Sequence, residues 1–190
     1  MRSNVSAVAS LDQTNFYNIA IQGVFQRAIL FPTRFGDGSY PVWYGCMDLV
    51  TSIHETAYHM IREESNLVDH HKLIERKRMI FKVACTAILI DLTRKRRFYP
   101  QLADPNNYSF AQQVGKRIRM EQHPGLLAPS ARQPAGINLA IFNPNCLSNP
   151  ELADQLVYQL YPQSLKLTVF NKDHTLMTID GSAWSEAPVK

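Results

Sequence analysis

The spacing of apolar residues predicts a chain of short strands interrupted by two amphipathic helices. Between residues 49 and 64, Val50, Ile53, Ala57, Met60 and Ile61 fall on one stripe when successive residues are turned by 100°. Asp48 precedes this run and can cap the helix by accepting from its first free backbone N–H groups. The helix is therefore expected to bury its Ile53 face and to present Ser52, Glu55, His59 and Arg62 on the other side.

Short runs of β-forming residues predict the strands. Residues 42–47 predict a buried strand, and residues 79–92 predict one long strand or two consecutive strands with both faces buried. Other predicted elements are strands at 126–128, 137–142, 165–170 and 176–179, a hairpin connection at 171–174 and a second helix at 108–121. Residues 16–30 mix helical and strand spacing, so that their element type stays open.

Strands outnumber long helices, and both hairpins and crossovers join neighbouring elements. This order favours an α+β fold with a mixed, mainly antiparallel central sheet and flanking helices. A length of 190 residues with 45% apolar content suits one domain over residues 1–190. Residues 1–15 are polar or small and are predicted to form a loosely ordered arm.

Several classes of protein are disfavoured by what the sequence lacks. No apolar run approaches the roughly 18 to 20 residues of a membrane-spanning helix, and residues 3–10 are too poor in apolar residues for a secretory signal. We therefore expect a cytoplasmic protein without a membrane partner. Cys46, Cys85 and Cys146 fit neither a disulfide framework nor a CxxC site, and the six histidines show no metal spacing. We expect no metal.

Basic residues concentrate in three runs, at 76–78, 94–97 and 116–119. Such runs are usually solvated faces, although they also attract phosphates and nucleic acids. No aromatic residues alternate with these charges as stacking platforms would. A basic module that binds nucleic acid stays a rival hypothesis on this evidence.

The segment from Arg34 to Glu55 contains the most informative candidate chemistry. Arg34 precedes a loop with two glycines, where a guanidinium can hold a phosphate, although a surface arginine on a turn is the plainer alternative. Trp43 and Tyr44 lie on opposite faces of a predicted strand, so that one suits the core and the other can stack on a planar ring. Glu55 faces either a cleft or solvent, where it would pair with His59.

A second segment, from Gly125 to Phe142, adds Ser130 in Pro129-Ser130-Ala131-Arg132 and the run Gly136-Ile137-Asn138-Leu139-Ala140-Ile141-Phe142. The Gly-x-Ser-x-Gly turn of a serine hydrolase is absent, which disfavours Ser130 as a nucleophile. The order Arg34, Tyr44, Glu55 and then Ser130 resembles the RES-domain family, named for its Arg, Glu and Ser. The chain departs from family members in Ala128, where an aromatic residue is common, and in Phe35-Gly36 after Arg34.

The resemblance implies an ADP-ribosyltransferase-like fold and the toxin half of a bacterial toxin–antitoxin pair. It implies an enzyme that cleaves NAD⁺ at the nicotinamide–ribose bond, commonly with inorganic phosphate as acceptor, and that needs no cofactor besides these substrates. Transfer of ADP-ribose to a protein is the alternative that some relatives follow. The partner would be a helix-turn-helix antitoxin through which any contact with nucleic acid is indirect, and a homodimer is compatible with the family.

The resemblance also assigns roles by position. Glu55 would stabilise the oxocarbenium-like ribose, and Arg34, together with Arg27, would bind pyrophosphate or phosphate. Tyr44 would stack near the nicotinamide or its ribose, and Ser130 would hydrogen-bond the nicotinamide ribose or the phosphate. Arg132 is a further candidate for substrate binding, with a structural role as its alternative.

Overall fold

The computed structural model describes residues 14–64 and 72–185, which form helices and eight strands. The helices are α1 (residues 14–25, with a π-helical turn at Asn18–Gln22), α2 (Leu49–Glu64), α3 (Ser109–Met120) and α4 (Ser182–Ser185). The strands are β1 (Trp43–Cys46), β2 (Ile74–Cys85), β3 (Ile90–Asp91), β4 (Gly125–Pro129), β5 (Ile137–Ile141), β6 (Leu147–Tyr161), β7 (Lys166–Asn171) and β8 (His174–Asp180). Short 3₁₀ turns lie at Thr93–Arg97, Pro100–Ala103 and Pro144–Cys146. The α+β class and the mainly antiparallel strands are confirmed.

The strands divide between two four-stranded sheets. Sheet 1 has the order β1-β5-β4-β3, and all its pairs are antiparallel except β3 with β4. Sheet 2 has the order β2-β6-β7-β8 and is antiparallel throughout. In sheet 1, β3 and β4 run in the same direction, so that the basic turn after β3 and Ser130 after β4 lie at the same end of the sheet.

Most predicted elements are present with small shifts of their ends. Asp48 caps α2 as expected, because its Oδ1 accepts from Thr51 N at 2.7 Å. The predicted hairpin joins β7 and β8 through the pair Asn171 and His174. Residues 16–30, whose type was open, begin as helix α1. Of the predicted N-terminal arm, residues 1–13 lie outside the described residues, and residues 14 and 15 are helical.

Two predictions about burial were wrong. The strand expected at 42–47 exists as β1, but Tyr44 on it is 38% exposed, because β1 is an edge strand of sheet 1. The run 79–92 belongs to two consecutive strands, which confirms the second of the two alternatives, but the predicted burial of both faces is wrong: the first part belongs to β2 of sheet 2, and Ile90–Asp91 forms β3 of sheet 1. Exposed and partly buried residues alternate along much of β2, as in a sheet with one solvated face.

Strand β6 was missed by the sequence analysis, although it pairs with both β2 and β7. Its first half contains Pro150 and two acidic residues, Glu151 and Asp154, and Asn149 adopts a positive φ of 47°, all of which argue against a strand. Its second half contains a pattern from which the strand could have been predicted. Leu156, Tyr158 and Leu160 alternate at the strand period of two and are fully buried.

Sheet 2 supports the apolar face of α2. Ile53, Ala57, Met60 and Ile61 pack against buried residues of β6, β7 and β8, namely Leu156, Tyr158, Leu160, Leu167, Val169 and Ile179. Each large aliphatic side chain buried in this way contributes roughly 1.5–3 kcal/mol. The predicted Ile53 face is therefore the buried face except at Val50, which is 41% exposed, and the opposite face of α2 is free to carry Glu55.

Helix α3 packs on sheet 1 through small residues. Ala111 and Ile118 contact the cluster of Phe35, Leu126 and Ala140, and Gly115 lies between them. A Cβ atom on Gly115 would stand 2.2 Å from the carbonyl oxygen of Phe35, which belongs to the loop that follows Arg34. The close approach of α3 to this loop therefore requires glycine at position 115.

Replacing Gly115 with alanine is predicted to destabilise the protein by roughly 1–3 kcal/mol, the usual range for overpacking. The gain in helix propensity, about 1 kcal/mol, is outweighed because the obstructing atom is backbone and cannot rotate away. Urea unfolding would measure the change. Gln113→Ala, at an exposed position of the same helix, is the matched control and should leave the free energy of unfolding nearly unchanged.

Candidate active site

Glu55 is held by hydrogen bonds that cross from α2 to sheet 1. Its Oε1 accepts from Ser130 Oγ at 2.7 Å and from Asn138 Nδ2 at 2.6 Å, from residues 75 and 83 positions later. Within the described ranges, no hydrogen bond joins Glu55 to His59. The alternative in which Glu55 is a solvated partner of His59 is therefore wrong, and Glu55 is half-buried between α2 and sheet 1.

Ser130 is a buried connector. Its Oγ donates to Glu55 and accepts from the backbone N–H groups of Arg132 at 3.1 Å and of Gln133 at 3.0 Å. The loop that follows approaches α2 closely, since a Cβ atom on Gly136 would stand 2.6 Å from Thr51 Oγ1. With its proton and its lone pairs in use, Ser130 suits a positioning role better than a nucleophilic one, as the sequence indicated.

Asn138 joins the site without having been predicted. It lies on β5, directly opposite Cys46 of β1, and Cys46 Sγ donates to Asn138 Oδ1 at 3.2 Å. The signal in the sequence was a polar residue inside an otherwise apolar strand that pairs with the strand ending at Ser130. Burial, with Glu55 and Asp48 nearby, raises the pKa of Cys46 to about 12.

Arg34 is buried near Glu55 and is held by uncharged groups. Its Nη1 donates to the carbonyl oxygen of Asp104 at 2.6 Å, and its Cζ lies 4.4 Å from the centroid of the Tyr108 ring. Burial lowers the pKa of Arg34, whereas Tyr108, Glu55 and Tyr44 favour its charged form. The neighbouring cation Arg132 also lowers the pKa of Arg34, so that Arg34, Arg132, Glu55 and Tyr44 lie close enough to influence one another's charge.

Arg132 is a second buried cation, and like Arg34 it donates to a backbone carbonyl of the segment at residues 104–105. Its Nη2 donates to the carbonyl oxygen of Pro105 at 2.7 Å, its Cζ lies 3.3 Å from the centroid of the Tyr58 ring, and its buried Nε has no hydrogen-bond partner. Neither Arg34 nor Arg132 forms a salt bridge with a carboxylate among residues 14–64 and 72–185. Two buried guanidinium groups without paired carboxylates favour an anionic ligand.

The hydroxyl group of Tyr44 is buried, whereas part of the residue is exposed to solvent. The hydroxyl bonds Thr33 Oγ1 at 2.9 Å and accepts from Phe35 N at 2.8 Å, and burial of this group raises the pKa of Tyr44 to about 12. The ring remains available for stacking, since the residue is 38% exposed. Trp43 points the other way, with its Nε1 donating to Ala20 O at 2.7 Å, so that the predicted alternation is confirmed.

Arg27 makes no contact with the other candidate residues. It lies just beyond α1, is exposed, and forms no hydrogen bond, ion pair or ring contact with another described residue. Arg96, which was predicted only as part of a basic run, lies near Ser130. The two residues line the same cavity of about 220 Å³, together with Gly136. The larger cavity, of about 590 Å³, lies away from Glu55, between Ile88, His123 and Asn143.

The basic runs are partly used within the fold. Arg76 forms a salt bridge with Glu64 at 2.6 Å, and Arg117 forms another with Glu121 at 2.6 Å. Arg119 lies over the Tyr40 ring. In the described part of the chain, no three His, Cys, Asp or Glu side chains group closely enough to hold a metal ion. His70 and His71 lie outside that part. None of the described helices is long and apolar enough to span a membrane.

A family model for the RES domain matches residues 8–160, about four fifths of the chain. The chain belongs to the RES-domain family. No curated protein matches the chain. The matched range of this RES domain contains all six predicted site residues and Asn138, and family membership is consistent with an enzyme that acts on NAD.

The burial of Cys46 predicts the pH dependence of its alkylation. Because the thiolate is the reactive form and the pKa of Cys46 is about 12, its rate of reaction with iodoacetamide should rise about tenfold per pH unit from pH 7 to 10. Mass spectrometry of the Cys46 peptide would follow the reaction. A rate that levels off near pH 9 would contradict the assignment, and the unfolded protein, whose thiols have pKa values near 8.5, is the control.

Proposed function

We propose that this RES domain is an NAD⁺-degrading toxin that cleaves the nicotinamide–ribose bond, with inorganic phosphate as the acceptor. The observation that supports this most directly is that one positioned carboxylate lies in the same site as two buried cations that form no salt bridge. Glu55 is fixed by Ser130 and Asn138, while Arg34 and Arg132 lie buried without carboxylate partners. A dinucleotide with a positive ring at one end and a pyrophosphate beside it matches that arrangement of charges.

One carboxylate is enough for this reaction. Ordinary glycosides require a general acid to protonate the leaving group and a second carboxylate to act as base or nucleophile. The nicotinamide of NAD⁺ leaves as a neutral molecule from a cationic ring, so that no proton needs to be supplied. Glu55 would stabilise the positive charge that develops on the ribose as the bond to nitrogen breaks, a preorganised electrostatic effect.

The proposed reaction needs no reactant besides NAD⁺ and inorganic phosphate. An oxygen of inorganic phosphate bonds to the ribose carbon C1, the bond from this carbon to the nicotinamide nitrogen breaks, and its electron pair returns to the pyridine ring. The products are nicotinamide and ADP-ribose carrying a 1-phosphate. Arg34 and Arg132 would bind the pyrophosphate, Tyr44 would offer its exposed ring to the nicotinamide, and Ser130 would orient Glu55 and the ribose. Arg96, beside Ser130, is a suitable cation for the incoming phosphate.

Glu55→Gln tests the proposal with little change of shape. Glutamine keeps an oxygen that can accept from Ser130 and Asn138 but removes the negative charge, so that turnover should fall at least a hundredfold. Purified protein would be incubated with NAD⁺ and phosphate, and release of nicotinamide would be followed by chromatography. Glu63→Gln, an exposed position on the same helix, is the matched control and should keep full activity.

The acceptor is identified in the same assay by its products. Labelled NAD⁺ with phosphate should give ADP-ribose 1-phosphate, whereas ADP-ribose alone would indicate hydrolysis. Label appearing on protein in a cell extract would indicate an ADP-ribosyltransferase. Folded wild-type protein, free of inhibitor, that leaves NAD⁺ intact with phosphate and with extract would refute NAD⁺ cleavage. A gel shift with nucleic acid that survives Arg34 and Glu55 substitutions would then favour the basic binding module.

Arg34→Ala is predicted to weaken substrate binding. Loss of a charge-assisted contact of roughly 1.5–3 kcal/mol corresponds to a rise in KM for NAD⁺ of about tenfold to a hundredfold. Steady-state kinetics would separate this effect from a change in kcat. Arg117→Ala, which removes an exposed cation paired with Glu121, should leave KM unchanged. An equal rise in both variants would mean that overall charge, not the buried guanidinium, attracts NAD⁺.

The toxin assignment includes a partner. We propose that a helix-turn-helix antitoxin covers the NAD site, that any contact with nucleic acid is made by that partner, and that the toxin forms a homodimer in cytoplasm. The exposed ring of Tyr44 supports a site that a partner can reach directly. An ADP-ribosyltransferase-like fold remains part of the same proposal.

A further inference from the structure

The side-chain amide of Asn138 has two different ends, and only one of them suits Glu55. Nδ2 donates to Glu55 Oε1 at 2.6 Å, whereas Oδ1 in that place would repel the carboxylate. The other end of the amide agrees with this orientation, because Cys46 Sγ donates to Oδ1 at 3.2 Å. The carboxylate and the thiol therefore favour the same orientation of the amide, and the thiol adds a second point of attachment.

The strand register places these two residues together. Cys46 of β1 is directly opposite Asn138 of β5, and on the other side of β5 the residue opposite Asn138 is Ala128 of β4. Ala128 offers no side-chain donor to the amide. Cys46 is thus the neighbour on the paired strands that supplies one.

The carboxylate held by this arrangement has two unequal oxygens. Oε1 receives both donors, Ser130 Oγ and Asn138 Nδ2, while Oε2 makes no hydrogen bond with any described residue. Two donors converging on one oxygen restrict rotation of the carboxylate about its terminal bond. We propose that Cys46 and Asn138 are positioning residues which hold Oε1 of Glu55, so that Oε2 is the oxygen presented to the ribose of the substrate. This inference rests on the proposed cleavage of NAD⁺.

The thiol stays a donor under ordinary conditions. Burial raises the pKa of Cys46 to about 12, so that the protonated form predominates near neutral pH. A thiolate could only accept, and it would favour the reversed amide with Nδ2 turned towards the sulfur. The environment of Cys46 therefore protects the orientation on which Glu55 depends.

Two substitutions at position 138 separate positioning from simple packing. Asn138→Ala removes the donor and should lower kcat for NAD⁺ cleavage by about tenfold or more, with KM for NAD⁺ changed less than threefold. Asn138→Asp keeps the shape but places a second carboxylate beside Glu55. Because two neighbouring carboxylates resist ionising together, the acidic limb of the kcat/KM profile should move to higher pH. Asn145→Ala, at an exposed position away from Glu55, is the matched control.

Two substitutions at position 46 test the thiol. Cys46→Ser retains a donor and should keep kcat within about twofold of wild type, whereas Cys46→Ala leaves Asn138 Oδ1 without its donor, loosens the amide and should lower kcat about threefold to tenfold. Cys85→Ala is the control for loss of a partly buried thiol elsewhere. Thermal unfolding of every variant would show whether a loss of kcat merely reflects loss of folded protein.

A second measurement works even without turnover. In wild-type protein, NMR should show slowly exchanging side-chain amide protons for Asn138, kept in Cys46→Ser and perturbed in Cys46→Ala. Rapid exchange in wild type, or signals indifferent to Cys46→Ala, would overturn the positioning pair. Full kcat and an unshifted pH profile in folded Asn138 variants would overturn it too. Wild-type protein that does not cleave NAD⁺ would instead remove the proposed function, and the NMR result would still decide whether the pair exists.

Discussion

The two hydrogen bonds that converge on one oxygen of Glu55 are the constraint on which the candidate site depends. They connect a helix that packs on sheet 2 with two strands of sheet 1. The helix position is set by its apolar face, and the strands bring donors from residues far along the chain. A movement of either sheet would separate donor from acceptor. The geometry of the site therefore depends on how the two sheets are packed around α2. Burying a carboxylate costs free energy unless such donors compensate it.

The cationic half of the site follows a different rule. Arg34 and Arg132 are oriented by backbone carbonyls at Asp104 and Pro105 and by the rings of Tyr108 and Tyr58. These groups fix direction without neutralising charge. The Asp104 carboxylate, which could have paired with a guanidinium, instead accepts from the backbone N–H groups of Asn106 and Asn107, and this holds its pKa below the usual value. Asp104 thus shapes the turn without forming a salt bridge to either guanidinium, although Arg34 and Arg132 also help to lower its pKa.

How much the sequence could predict depended on whether the information was local. The amphipathic stripe of α2, the Asp48 cap and the β7–β8 hairpin were local patterns, and all three are present. The opposition of Cys46 and Asn138 could not be found in this way, because register is set by pairing between strands that are distant in sequence. Arg27, which is exposed, stays a prediction, since a basic residue near the end of a helix has no local mark that distinguishes a pocket from solvent. Ser130 was found because a family pattern supplied the long-range information that a single sequence lacks.

The long strand β6 ends at Tyr161, where the RES family match also stops, yet the sheet continues through β7 and β8. Leu167, Val169 and Ile179 from these later strands cover the apolar side of α2. Residues 8–160 would therefore contain each member of the candidate site and lack part of the floor beneath the helix that carries its carboxylate. The range that the family model matches therefore ends before the strands that complete the packing of α2. Substitutions in the last two strands would therefore change the position of Glu55 by tilting α2, although none of those residues belongs to the candidate site.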